Sequence, residues 1–162
     1  MAARATDAET RLVRDDHTAI RLWLRMLATN RLVETRTRRL LQERYATTLP
    51  RFDLMAQLER SPKGLKMGEL SRRMMETGGN VTVITDLQEK EGLVERAADP
   101  EDRRATIVRL TAAGRRAFAA MAEEHEHWIV ESFKALTGRE MATMAALLAR
   151  LKTHVRSLEE QA

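Results

Sequence analysis

The chain has 162 residues, 43% hydrophobic and 32% charged, a balance that supports a packed core and argues against disorder along its whole length. It contains no cysteine, which excludes disulfides, thiolate metal sites, a thiol nucleophile and a thiol redox switch, and leaves oxidation only to the nine methionines. The net charge of +4 is uneven: residues 1–50 carry ten Arg against six Asp and Glu, residues 51–110 eleven basic against eleven acidic, and residues 111–162 seven against seven. A surplus confined to the first fifty residues favours anionic partners such as nucleic acid or an acidic ligand. No apolar run nears the roughly 20 residues that a membrane helix needs, and Met1 to Glu9 lacks the apolar stretch of a signal peptide. The expectation is a soluble, cytoplasmic protein with no membrane partner.

Three prolines and seven glycines punctuate a chain that otherwise reads as helical. From about Thr10 to Thr47 neither occurs, and Ile20, Trp23, Leu24, Leu27, Leu32, Leu40 and Leu41 form a broken apolar stripe, which predicts one long first helix. Pro50 to Glu59 is expected to be a short amphipathic helix opened by proline, whose missing N–H costs nothing there. Further helices are predicted over Gly68 to Met75 and Thr77 to Glu91, the latter ending at Gly92, a natural left-handed stop. The period then alternates: Leu93 to Arg96 and Thr106 to Leu110 flank Ala98-Asp99-Pro100-Glu101-Asp102-Arg103-Arg104, a hairpin with a polar loop.

The remainder returns to helix. Thr111 is placed to cap a helix whose stripe runs Phe118, Met121, His125, Trp128, Ile129 and Phe133. Thr137 and Glu140 form a capping box in front of Met141, Met144, Leu148, Leu151, Val155 and Leu158, spaced alternately by three and four. That heptad seam is expected to pack on a second copy of the chain or on a long partner helix. The fold class expected is mainly α with a small β-hairpin: an N-terminal helix over 10–48, a module of short helices and a hairpin over 50–112 and C-terminal dimerisation helices over 113–160.

Two short helices joined by a tight turn and followed by a charged hairpin make the order of a winged helix-turn-helix. In this arrangement the second helix enters the major groove of DNA and the hairpin tip reaches a minor groove. At Leu70-Ser71-Arg72-Arg73, Gly79-Asn80-Val81-Thr82, Glu91-Gly92-Leu93-Val94-Glu95-Arg96, Asp99-Pro100-Glu101-Asp102-Arg103-Arg104-Ala105, Val108-Arg109-Leu110-Thr111 and Gly114, the chain resembles the MarR family of bacterial transcription regulators. The resemblance covers about Leu54 to Phe118, and its most specific part is the wing. It implies a homodimer on an inverted repeat of double-stranded DNA, with Arg104 as wing-tip arginine, Asp102 as the acid that holds it and Arg103 beside them. Two departures stand out: Gln88 lies where the family usually carries leucine, and Glu76 where an apolar residue is common.

On the predicted recognition helix Val81, Ile84 and Gln88 share one side, which leaves Thr82, Val83, Thr85 and Asp86 more outward. Asn80 and Thr82 are the expected base or phosphate readers, with Val83 available to a thymine methyl. Ser71, Arg72 and Arg73 are expected on phosphates. The resemblance further implies a repressor released by a small anionic aromatic effector, and some members that govern aromatic-acid breakdown and sense coenzyme A thioesters are similar to this chain around Gly78-Gly79-Asn80. Arg36, Arg38, Arg39 and Arg44 lie at the joint where such effectors bind, and arginine forks suit phosphates. They suggest an aromatic acyl-coenzyme A whose ring would lie among Trp23, Leu27, Phe52, Leu54 and Leu58. The plainer reading is a solvated basic helix face, or arginines paired with Glu34 and Glu43.

No enzyme is expected, since no nucleophile-base set and no phosphate-cradling glycine loop occurs. Neither cofactor nor metal is expected; His125 and His127 point to different helix faces, and His125 falls on the apolar stripe. The alternative to a DNA-binding regulator is a non-enzymatic helical partner-binding dimer without sequence-specific DNA readout.

Overall fold

The computed structural model describes residues 17–99 and 105–160. Among them run six helices and three strands: α1 Thr18–Tyr45, α2 Leu49–Glu59, β1 Leu65–Lys66, α3 Met67–Met74, α4 Gly78–Lys90, β2 Val94–Ala98, β3 Thr106–Leu110, α5 Ala112–Phe133 and α6 Gly138–Glu159. The architecture is mainly helical with a small antiparallel wing, as expected. The chain forms two compact units, Met1–Glu126 and His127–Ala162.

In the first unit each boundary has a local cause. Helix α1 stops at Ala46, which adopts the left-handed conformation and returns its N–H to the Gln42 carbonyl. Pro50 lies in the first turn of α2, and Thr77 caps α4 with its hydroxyl accepting from the Asn80 N–H. Helix α4 ends before Gly92, whose φ of +70° is the left-handed stop read from the sequence. Thr111 opens α5 as expected, accepting from the Gly114 N–H at 3.0 Å.

The sheet order is β1-β3-β2, with Val94 opposite Leu110 and Ala98 opposite Thr106. The two-residue β1 has no period of its own in the sequence; it exists because Leu65 pairs with Val108 and Lys66 with Ile107 on the free edge of β3. Leu54, Met55, Leu58, Leu65, Leu70, Val81, Val94, Val108 and Leu110 close a core shared by α2, α3, α4 and the sheet. Phe52 extends it, its ring 5.4 Å from that of Phe118 and 4.6 Å from that of His125. Burial pushes the His125 pKa below its ordinary value, the behaviour of a packed imidazole.

In the second unit the Thr137 and Glu140 capping box forms in full, and its bond from the Thr137 backbone holds the Glu140 carboxyl below the usual carboxylate range. Every residue of the seam on α6 is exposed, from 37% at Leu148 to 53% at Leu158.

Gly114 is where the wing meets α5 most closely. A Cβ there would lie 1.9 Å from the Leu93 carbonyl oxygen, and no flexible side-chain end is available to yield. Gly114→Ala is expected to destabilise the protein by about 3 kcal/mol, because backbone must shift to admit a methyl. Urea unfolding followed by circular dichroism would measure it.

Candidate nucleic-acid interface

Helices α3 and α4 are joined by Met75, Glu76 and Thr77. Met75 is left-handed at φ 55°, and Ser71 clamps the turn from both sides: its carbonyl accepts the Glu76 N–H at 3.1 Å and its hydroxyl donates to the Glu76 carbonyl at 2.5 Å. That hydroxyl proton serves the turn between the two helices. Arg72 and Arg73 remain exposed on the same helix. Arg73 is braced by Glu69 at 2.6 Å and by the Ser61 hydroxyl at 3.1 Å, while Arg72 makes no ion pair among the described residues.

The outward face of α4 begins with Asn80, Thr82 and Val83, all exposed, Val83 at 58%. Thr82 returns its hydroxyl to the Gly78 carbonyl at 2.9 Å, which leaves its oxygen lone pairs outward, and Asn80 donates from Nδ2 to the Glu76 carboxylate at 2.7 Å. Thr85 is not part of this face. It is fully buried and donates to the Val81 carbonyl at 2.7 Å. Four residues advance a helix by about 400°, which returns Thr85 to within about 40° of Val81 and places it on the core side. Gln88, on that side as expected, is also fully buried, its Nε2 donating to the Arg51 carbonyl at 3.1 Å.

Charge around α4 is arranged in pairs. Arg96 on β2 donates to Asp86 at 2.6 Å and to Glu89, and its own N–H bonds Glu89 at 3.1 Å. Burial alone would lower the Arg96 pKa, but the hydrogen bonds it donates to Asp86 and Glu89, with their negative charge, outweigh that and raise it. The fork offsets one of the two carboxylate charges on the helix and ties the wing to it. Arg51 pairs with Glu91, Arg109 with Glu95 at 2.6 Å, and Lys66 with Asp99 at 3.0 Å. The last pair anchors the root of the wing, where the Asp99 N–H also bonds the Ala105 carbonyl at 2.9 Å. The expected wing-tip residues Asp102, Arg103 and Arg104 lie outside the described residues.

The expected effector site fares differently. Phe52, Leu54 and Leu58 are core residues, 5%, 0% and 1% exposed, and do not line an opening; Trp23 is 59% exposed and Leu27 half-buried on α1. Arg36, Arg38, Arg39 and Arg44 point at about 0°, 200°, 300° and 80° around their helix and do not converge. Arg38 lies 3.5 Å from Glu34, Arg39 4.0 Å from Glu43 and Arg44 3.7 Å from Glu124. The pairs with Glu34 and Glu43 are those of the plainer sequence reading, whereas Arg44 meets Glu124 instead.

Residues 47–106 match the MarR family. A MarR family transcriptional regulator from Silicibacter pomeroyi is 30% identical in sequence, aligned over 89% of this chain and 99% of that one, with a TM-score of 0.75. The chain belongs to the MarR family. It is accordingly a winged helix-turn-helix, DNA-binding transcriptional regulator and not an enzyme. YsmB, an uncharacterized HTH-type transcriptional regulator of Bacillus subtilis, is 28% identical over 121 residues, 75% of this chain and 82% of its own length. A mutant MarR from E. coli complexed with operator DNA shares the fold with a TM-score of 0.74 at 22% identity, covering 86% of this chain and 99% of that one.

Sequence reasoning did not find Glu76, Arg96 or Lys66 as members of this surface. Only Glu76 leaves a local signal, an acid four residues before Asn80; the partners of Arg96 and Lys66 are brought by the sheet. The Thr77 cap tests how far the site depends on helix α4 starting in place. Thr77→Ala is expected to cost about 1 kcal/mol of stability and, by fraying the turn that bears Asn80, to weaken DNA binding more than that loss explains. Parallel chemical denaturation and fluorescence anisotropy would show both.

Proposed function

We propose that the protein works as a homodimeric repressor on an inverted-repeat operator and is released by a small anionic aromatic effector. The observation that carries the DNA half is the exposed N-terminal face of α4, where Asn80, Thr82 and Val83 stand clear of the core while Arg96 offsets part of the charge of the two acids behind them. In this reading the N-terminal end of α4 enters the major groove, Arg72 and Arg73 grip phosphates, and Arg104, held by Asp102 with Arg103 beside it, enters the minor groove. The structure of MarR from E. coli with operator DNA is the precedent for such a fold on DNA.

The dimer is supported by α6. Met141, Met144, Leu148, Leu151, Val155 and Leu158 expose an apolar seam of a length that a second copy would cover. The helices over 10–48 and 113–160 would then serve dimerisation and the segment over 50–112 DNA binding. The effector is supported by the positive surplus of residues 1–50 and by Arg36, which makes no ion pair among the described residues. With Arg38, Arg39 and Arg44 already beside carboxylates, a singly charged aromatic acid fits better than a coenzyme A thioester.

Selection from random duplexes at a stated salt concentration is expected to enrich an inverted repeat with half-sites about one helical turn, ~34 Å, apart. Failure to enrich any sequence at low salt would leave a partner-binding dimer instead. Titration of the resulting complex with aromatic acids and with their coenzyme A thioesters is expected to release DNA with the acids; release by thioesters alone would reverse the effector assignment.

The seam has its own test. Leu148→Lys or Leu151→Lys is expected to shift the protein toward monomer in sedimentation and to lower operator affinity at least tenfold at concentrations where the unaltered protein is dimeric. A dimeric variant with normal affinity would move the interface off α6.

A further inference from the structure

Glu76 places a carboxylate beside the face that α4 offers to DNA, where negative charge opposes binding. Its backbone is fixed regardless of its side chain, because Ser71 bonds both its N–H, at 3.1 Å, and its carbonyl, at 2.5 Å. The side chain reaches along the first turn of α4 and accepts from Asn80 Nδ2 at 2.7 Å. The Asn80 backbone N–H is meanwhile held by the Thr77 hydroxyl at 3.3 Å, so both ends of the asparagine have an anchor.

The chemistry of this contact has one orientation. An ionised carboxylate only accepts hydrogen bonds, so it takes the NH₂ end of an amide; turned by 180°, Asn80 would set oxygen against oxygen. An isolated asparagine on a recognition helix has no such restriction, and its two ends exchange at little cost.

The geometry points to Glu76 as a specificity-determining positioning residue. It locks the Asn80 amide so that the oxygen is offered to the base edge as an acceptor, with the second N–H beside it. That arrangement fits a base presenting an exocyclic amino group in the major groove, adenine best because its N7 takes the remaining N–H. Guanine presents acceptors at both positions, so the locked oxygen opposes it. The inference rests on the reading above in which Asn80 meets a base.

Selection from random duplexes with the full-length protein, Asn80→Ala, Glu76→Ala, Glu76→Gln and the Glu76→Ala/Asn80→Ala pair tests it, with thermal unfolding of each variant as a control of fold. The unaltered protein is expected to prefer adenine over guanine about tenfold at one position of each half-site. Asn80→Ala, Glu76→Ala and Glu76→Gln should each bring that ratio close to one at the same position, and the pair should go no further than Asn80→Ala alone. The glutamine variant keeps the size of the side chain and accepts an amide in either orientation, so a folding defect in the alanine variant would not hide the result.

Glu76→Ala and Glu76→Gln proteins that keep the preference while binding all sequences more tightly would show a residue acting by charge alone and overturn the inference. A preference that survives Asn80→Ala but is lost with Glu76→Ala would put Glu76 itself on the base, which also overturns it. A selected site unchanged at every position in Asn80→Ala would instead remove Asn80 from base reading, and the inference would fall with that reading.

Discussion

The seating of α4 is the constraint on which the rest of the DNA-facing surface depends. Val81, Ile84, Thr85 and Gln88 are buried together, and a helix held along that stripe has no freedom to choose what it presents on the other side. Gln88 sharpens the constraint where leucine would only fill space: its Nε2 must stay on the Arg51 carbonyl, because a buried amide without a partner costs about 1–3 kcal/mol. Rotation of the helix by even one position would expose Val81 and bury Asp86 or Val83. The outward set is therefore a consequence of packing against α2 and α3, decided before any nucleic acid arrives.

Net charge gives a poor account of how such a surface meets a polyanion. Residues 51–110 carry as many acids as bases, yet several acids on α4 and the sheet are held by named cations: Asp86 and Glu89 by Arg96, Glu91 by Arg51, Glu95 by Arg109, Asp99 by Lys66; Glu76 is held by an amide instead. Most of these pairs are partly exposed, where a single ion pair adds about 0–1 kcal/mol, so stability is not what distinguishes them. Their effect is local: the repulsion that Asp86 and Glu89 would exert on phosphates is reduced by the one charge of Arg96, while Arg72 makes no ion pair among the described residues. The Arg96 pairs also attach β2 to α4, and the Lys66 pair attaches the root of the wing to β1.

Much of this was legible in the sequence because it is written in short-range rules. Gly92 stops α4, Thr111 and Thr137 cap the helices that follow them, and the alternation at Thr106 to Leu110 marks a strand, each decided within four or five residues. What was missed is decided across the fold. β1 is a strand only because β3 has an edge at Val108, and Arg96 meets Asp86 and Glu89 only because β2 returns along α4. Thr85 is a different failure, an outward assignment that the helical period itself contradicts once Val81 is taken as the inner reference. The four arginines of α1 show the limit of counting charge along a chain: neighbours in sequence, they are dispersed around the helix and three stand beside carboxylates.

The second unit adds a requirement that the first cannot meet alone. Helix α6 begins with a complete capping box, so its first turn is well defined without tertiary help, yet it has no buried residue. A defined helix whose apolar seam remains open is built for contact along its length, and lateral burial is what stabilises helices beyond their intrinsic propensity. In the proposed homodimer, closing that seam and placing two copies of α4 on one duplex become the same event. Each half-site then needs only the few contacts of Asn80, Thr82, Val83 and the arginines around them. Discrimination would multiply across the two halves of such a dimer, so a module of zero net charge would reach specificity through geometry shared between its copies and without a broadly basic surface that would bind any duplex equally.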